Sequence, residues 1–271
     1  MNDEQRRAVL PAVGSVCRSI RQARAWRDRK IEAIAFLLCG LLCLSRALAA
    51  EDWPQFRGPN SSGVYAGKHR LPTTFSYEDD VKWSVSLGEG VASPVVASGR
   101  VFETAMVGPQ KFAVFAFDEA TGRQLWSREL DTGPLPPITL PNSHASSTPA
   151  ADAERVYIYF STLGLVAFDA RTGEQAWRVP LEVPQYLMDW GAAGSPILFD
   201  DMVIFNQDDD LDSYLLAVDK KTGSVRWRTE RSEMLAGYAV PVVCDAGGRR
   251  DLVIAGTGKM KGYDPVTGRE L

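Results

Sequence analysis

The sequence predicts an all-β chain: a β-propeller of four-stranded antiparallel blades, about three and a half of them, forming part of a seven- or eight-bladed ring. Three observations predict it. A Thr-Gly motif recurs at blade spacing, a Ser/Thr/Val-Pro marker keeps step with it, and the segments between are short and rich in β-branched and aromatic residues.

The motif aligns without gaps in four places. Asp118, Gly122 and Trp126 open the series, followed by Asp169, Gly173 and Trp177, then Asp219, Gly223 and Trp227, and finally Asp264 and Gly268. The four aspartates are 51, 50 and 45 residues apart. Thr-Gly suits a tight hairpin, in which glycine accepts a positive φ and the aspartate side chain bonds the turn backbone. The tryptophan falls on the last strand, where a large ring covers a neighbouring blade and its indole N–H needs one acceptor. These residues are read as builders of blades and not as chemistry.

Ser93-Pro94, Thr148-Pro149, Ser195-Pro196 and Val240-Pro241 each open an apolar stretch. Runs such as Arg155–Phe160 and Tyr214–Val218 are four to seven residues long and read as strands, about four to each period. Blades are expected at about 93–130, 148–181 and 195–230, with an incomplete one at 240–271, inside a repeat region of 81–271. Residues 50–80 are expected to form an extended N-terminal segment. Val81–Leu87 reads as a strand bearing a tryptophan, Trp83, with no Thr-Gly before it. Such a strand either completes the last blade of a ring, pairing here with 260–264, or belongs to a longer protein. The fourth motif stops one residue before its tryptophan, so the second reading is preferred, with roughly 130–200 further residues expected.

Residues 1–49 read as a signal peptide with a long basic leader. Nine basic and four acidic residues give the first fifty a net +5, while the remainder, with 21 and 30, carries −9. The thirteen-residue uncharged run Ala33–Ser45 is too short to span a bilayer, and Ala47-Leu48-Ala49 offers small residues for cleavage before Ala50. The chain is therefore expected to be exported, periplasmic or secreted, with no transmembrane span after cleavage. An acidic body argues against nucleic acid as a partner. Cys17, Cys39 and Cys43 leave with the leader, and Cys244, beside Val240–Val243, reads as a small core residue.

Asp-x-x-Thr-Gly-x-x-x-Trp resembles the tryptophan-docking motif of quinoprotein dehydrogenases and of BamB, the propeller subunit of the outer-membrane β-barrel assembly machinery. Trp53-Pro54-Gln55-Phe56-Arg57-Gly58-Pro59-Asn60 and Asp212–Gly223 resemble exported pyrroloquinoline-quinone (PQQ)-like repeat proteins of planctomycete type. The resemblance covers residues 51–271. It implies longer relatives with seven or eight blades, and PQQ and calcium as cofactors to look for. Quinoprotein dehydrogenases use a vicinal cysteine pair and a calcium-bound catalytic aspartate, and no motif here places either.

No zinc pattern, nucleophile elbow or His-Glu-x-x-His helix occurs. Gly256-Thr257-Gly258-Lys259 resembles a phosphate loop but has Met260 where Ser or Thr belongs and a strand where a helix is needed. No catalytic residue is assigned. Asp208, Asp210 and Asp212 have the alternation of a calcium loop, but a strand over Tyr214–Val218 carries Asp219 out of its reach. They read as a weak cation site or a solvated acidic turn. Residues leading into the inner strands should line the mouth of the ring: Glu89, Ser93, His144, Ser146, Asp189, Trp190 and Tyr238. Among these, His144, Trp190 and Tyr238 are the candidate ligand-binding side chains, Trp190 for stacking and His144 for a carbonyl or carboxylate. The expected function is a non-catalytic binding or scaffold module for a protein or small-molecule partner. A PQQ-dependent dehydrogenase of an alcohol or sugar is the alternative. Sequencing of the mature N-terminus should begin at Ala50 or Glu51; an uncleaved chain in the cytoplasm would remove the case for export.

Overall fold

The computed structural model describes residues 52–65, 67 and 71–271, so the predicted leader lies outside the described residues. Three four-stranded antiparallel sheets and one three-stranded sheet follow one another along the chain. The first holds β1 (Val95–Ala97), β2 (Arg100–Gly108), β3 (Lys111–Asp118) and β4 (Gln124–Asp131). The second holds β5 (Ala150–Ala151), β6 (Arg155–Phe160), β7 (Gly164–Asp169) and β8 (Gln175–Val179). The third holds β9 (Ile197–Phe199), β10 (Met202–Gln207), β11 (Tyr214–Asp219) and β12 (Val225–Glu230). The last holds β13 (Val242–Ala246), β14 (Arg249–Gly256) and β15 (Lys259–Tyr263). Each sheet meanders from its inner to its outer strand, which is the blade of a propeller.

The middle strands β6, β7, β10 and β11 are buried along nearly their whole length. Their largely apolar character follows, because each is covered on both faces by the neighbouring blades. One layer of packed side chains fills each gap: Phe102, Phe112 and Val114 meet Ile158 and Phe160 between the first two blades. Tyr157 and Tyr159 meet Phe205 and Leu216 in the next gap, and Ile204 and Leu215 meet Leu252 and Ile254 in the third. The Phe112 and Phe160 rings stack at 4.0 Å.

The repeated motif does the same work in each blade. The Asp118, Asp169, Asp219 and Asp264 carboxylates accept the backbone N–H of Thr121, Thr172, Thr222 and Thr267 at 2.7–3.1 Å. Arg226 beside it and the Thr222 N–H hold the Asp219 carboxyl down at about 2. A bulge before Trp126, Trp177 and Trp227 leaves each ring opposite a small residue, Ala116, Ala167 or Ala217. Each ring then lies against the motif glycine of the next blade: Trp126 on Gly173, Trp177 on Gly223 and Trp227 on Gly268. The Trp126 and Trp177 indoles donate to the Ala170 and Lys220 carbonyls at 3.1 and 2.9 Å. Trp227 has the same seat, with its buried N–H unpaired.

Several features differ from the expectations. Residues 81–87 form no ladder and do not pair with β15, which instead meets Glu270 at Tyr263. Trp83 nevertheless takes the repeat's seat, its ring on Gly122 and its N–H donating to the Glu119 carbonyl at 2.9 Å. The segment 50–80 carries a short helix, α1 (Tyr77–Asp80), because the Ser76 hydroxyl caps the Asp79 N–H and three acidic residues occupy its first turn. Cys244 is exposed and not a core residue. Along β13, Val243 packs into the gap beside the third blade, so its neighbour Cys244 points to the opposite face. Gly256–Lys259 is the turn of the β14–β15 hairpin.

A Cβ on Gly173 would stand 2.6 Å from the Trp126 ring, at a φ of 70°, whereas one on Gly99, at a φ of 74°, would meet nothing within 4 Å. Gly173→Ala should therefore cost about 2–5 kcal/mol against about 1–2 for Gly99→Ala. Thermal unfolding should show the difference as several degrees, and equal shifts would exclude the ring–glycine contact as the cause.

Candidate functional site

The links that carry the chain from the outer strand of one blade to the inner strand of the next meet at one mouth. At its floor are the marker hydroxyls. Thr148 Oγ1 accepts the Ser93 N–H and Ser195 Oγ accepts the Thr148 N–H, both at 3.0 Å. The marker of the fourth blade is Val240, so the hydroxyl series ends there. With Ser146, Tyr238 and Phe56 these residues line a recess of about 260 Å³.

Above it opens an apolar cleft of about 570 Å³ between Val91, Leu140, Pro141, Trp190 and Tyr238. Asn142, Val91, Ala193 and Tyr238 line both spaces, so the two are continuous. The links are stapled to each other. Thr139 N–H donates to the Asp189 carbonyl at 2.6 Å, and Asn142 Nδ2 donates to the Trp190 carbonyl at the same distance. The Asn142 carboxamide oxygen accepts from the Ser143 N–H and the Ser146 hydroxyl. Its amide thus holds the backbone beneath Trp190 in place.

His144 and Asp189 lie in an adjoining cavity of about 310 Å³ with Tyr186 and Gln185. Burial lowers the His144 pKa, and Glu89 opposes the shift. The imidazole is therefore neutral at pH 7 and able to accept as well as donate. The Tyr186 and Tyr238 rings stack at 5.9 Å across the rim, and burial pushes both phenols up. Of the three candidate ligand-binding side chains, the fold brings Trp190 and Tyr238 to one cleft and His144 to its neighbour.

Among the described residues the acidic cluster does not gather as a ligand set, and of its four carboxylates only Asp212 is exposed. Asp208 is buried and bound by Arg231, whose Nε and Nη2 donate to its two oxygens at 2.8 and 3.0 Å. Arg231, fully buried, also donates to the Tyr263 hydroxyl at 2.6 Å. Asp209, buried as well, accepts the N–H groups of Leu211, Asp212 and Gln185. Asp210 accepts those of Leu187 and Ala236, which tethers two mouth links to the third blade. Asp212 faces Arg228 at 3.4 Å. Among the described residues no three His, Cys, Asp or Glu side chains gather as a metal-holding group.

Sequence reasoning missed Asn142, Leu140, Phe56 and Arg231. Arg231 follows an outer strand and lies 23 residues from Asp208, so nothing local pairs them. Phe56 reaches the mouth from a segment distant in the chain.

A family model described as outer membrane protein assembly factor BamB matches residues 77–191 and 110–271. Two curated quinoproteins are similar over 134 residues, 43% of this chain and 20% of each relative. They are the 1-butanol dehydrogenase (quinone) of Thauera butanivorans, 28% identical, and the quinoprotein ethanol dehydrogenase of Pseudomonas aeruginosa, 29% identical. The chain thus spans about a fifth of their length. The quinohemoprotein alcohol dehydrogenase of Comamonas testosteroni superposes with a TM-score of 0.49 at 18% identity, over 83% of this chain and 41% of that one.

Replacing Arg231 by Met leaves a buried carboxylate without its counter-charge and should cost about 3–5 kcal/mol. Adding Asp208→Leu should recover much of the loss in chemical denaturation; an additive second loss would show that the two side chains are not coupled.

Proposed function

From the premise that this chain belongs to the BamB family of PQQ-type propellers, we propose that it is a non-catalytic binding module, exported from the cytoplasm, whose mouth receives an apolar side chain of a partner polypeptide. One observation carries the reading: the mouth links leave an uncharged apolar cleft open and ringed by exposed apolar groups. Leu140 is 79% exposed, Val91 56% and Trp190 49%, and all three line the cleft. Contiguous exposed apolar surface around a recess marks an interaction site on a soluble fold. The hydroxyl-lined floor offers hydrogen bonds to the main chain of whatever enters. The cleft itself holds no charged lining residue, so the preferred segment is uncharged, with an aromatic or large aliphatic residue at its centre. Among the described residues no helix is long and apolar enough to cross a membrane.

A calcium-held quinone does not fit the described residues. Trp190 offers a ring for stacking, but Asp208 is neutralised by Arg231, and Asp209 and Asp210 are occupied by backbone N–H groups. Cys244, on an exposed strand of the fourth blade, has no vicinal partner.

Peptides selected on the full chain should carry the aromatic or aliphatic centre described above. Trp190→Ser should weaken them roughly tenfold or more, as truncation of a central aromatic anchor does. Unchanged affinity in a Trp190→Ser/Tyr238→Ser chain would place binding elsewhere. A quinone absorbance band after reconstitution with PQQ and calcium, with dye-linked oxidation of an alcohol or sugar, would overturn the non-catalytic reading.

A further inference from the structure

The innermost strands β1, β5, β9 and β13 turn a free edge toward the axis of the ring. Each is preceded by the marker proline: Pro94, Pro149, Pro196 or Pro241. A strand points alternate N–H groups to the same side, and proline has none. The next donor on each axial edge is therefore two residues on, at Val96, Ala151, Leu198 and Val243. All four equivalent donors are met by one segment, Asp52–Asn60. Val96 N–H donates to the Trp53 carbonyl at 2.8–2.9 Å, with the reverse bond completing a bridge, and Ala151 N–H donates to the Pro54 carbonyl at 2.7 Å. Leu198 N–H donates to the Gln55 side-chain oxygen at 2.9 Å, and Val243 N–H to that of Asn60 at 2.8 Å. Asn60 Nδ2 returns a bond to the Val243 carbonyl. On the first blade the following axial donor, Ser98 N–H, meets Asp52 at 2.8 Å.

The segment carries its own scaffold. Trp53 packs on Gly58, whose φ of 74° lets the chain turn, and Gly58 N–H donates to the Gln55 carbonyl at 2.8 Å. Gln55, buried, also donates to the Ser61 hydroxyl at 3.0 Å. At the third and fourth blades the segment's acceptors are side-chain amides and not backbone carbonyls. A side-chain amide can both accept a strand's N–H and donate to its carbonyl or to a neighbour.

We propose that the axial edge of the four inner strands is a peptide-docking surface and that its occupant is this chain's own Asp52–Asn60 segment, seated with one acceptor for each blade. The docked segment covers the axial edge and makes the mouth a blind cleft floored by Phe56. It caps four edges that would otherwise be open to strand addition. This holds whichever ligand the mouth takes.

Hydrogen exchange of the full chain, followed residue by residue by NMR, tests it. The amides of Val96, Ala151, Leu198 and Val243 should be protected. Gln55→Leu should speed exchange at Leu198, and Asn60→Leu at Val243, by about tenfold or more, with Val96 and Ala151 unchanged. Exchange of the four amides at loop rates in the unsubstituted chain would overturn the proposal. So would unchanged protection in both variants, or an equal loss at all four amides in either one.

Discussion

Everything in this molecule depends on a flat indole laid against a glycine Cα across the gap between blades. A blade buries its faces only against its neighbours, so the contact that sets their separation and rotation sets the whole array. Trp126, Trp177 and Trp227 provide that contact in three successive gaps, and Trp83 provides it on the first blade from outside any ladder. The glycine is required twice over, because its φ is positive and because a methyl group would stand inside the ring. The aspartate four residues before it keeps the hairpin in shape to receive the ring, and the bulge before the tryptophan aims it. Three local devices thus converge on one inter-blade contact.

The outer rim is closed by tryptophans, and the inner one by hydrogen bonds. At the mouth, the Thr148 and Ser195 hydroxyls each accept the N–H of the preceding blade's marker, and a few residues deeper the segment Asp52–Asn60 meets at least one donor from every blade. Inner strands of two to five residues have little surface of their own to bury, so polar contacts at fixed repeat positions hold them in register. The same marker proline that opens each strand removes one axial donor and leaves the next for the segment. Between these two rings of bonds and the stapled links above them, the mouth has rigid walls and an apolar lip.

The charged interior lies to one side of the mouth. Asp208 and Arg231 close the base of the third and fourth blades with a two-pronged ion pair that Tyr263 completes. Desolvating two charges is tolerable there because the guanidinium meets both carboxylate oxygens and the Tyr263 hydroxyl. The aspartates beside them spend their oxygens on backbone N–H groups of the mouth links. Acidic residues that look like cation ligands in a linear string are thereby the fasteners of the site's scaffold.

Blade number, strand order and motif geometry were legible because they repeat. A turn aspartate, a positive-φ glycine and a docking tryptophan act within nine residues, and the recurrence of the set at blade spacing leaves few folds open. Trp190, Tyr238 and His144 were placed at the mouth by the same logic, since the residue before an inner strand has a fixed position in every blade. What repeats could not indicate was decided by tertiary structure alone. The pairing of Asp208 with Arg231 joins two blades, the outward face of Cys244 depends on which side of β13 its neighbour packs, and Asn142 acts on Trp190 from a different link. Phe56 and the segment around it occur once, 35 residues or more before the first inner strand, and meet four strands that are far apart in the chain. Sequence periodicity encodes contacts between equivalent neighbours; a contact made once between non-equivalent segments leaves no period to read.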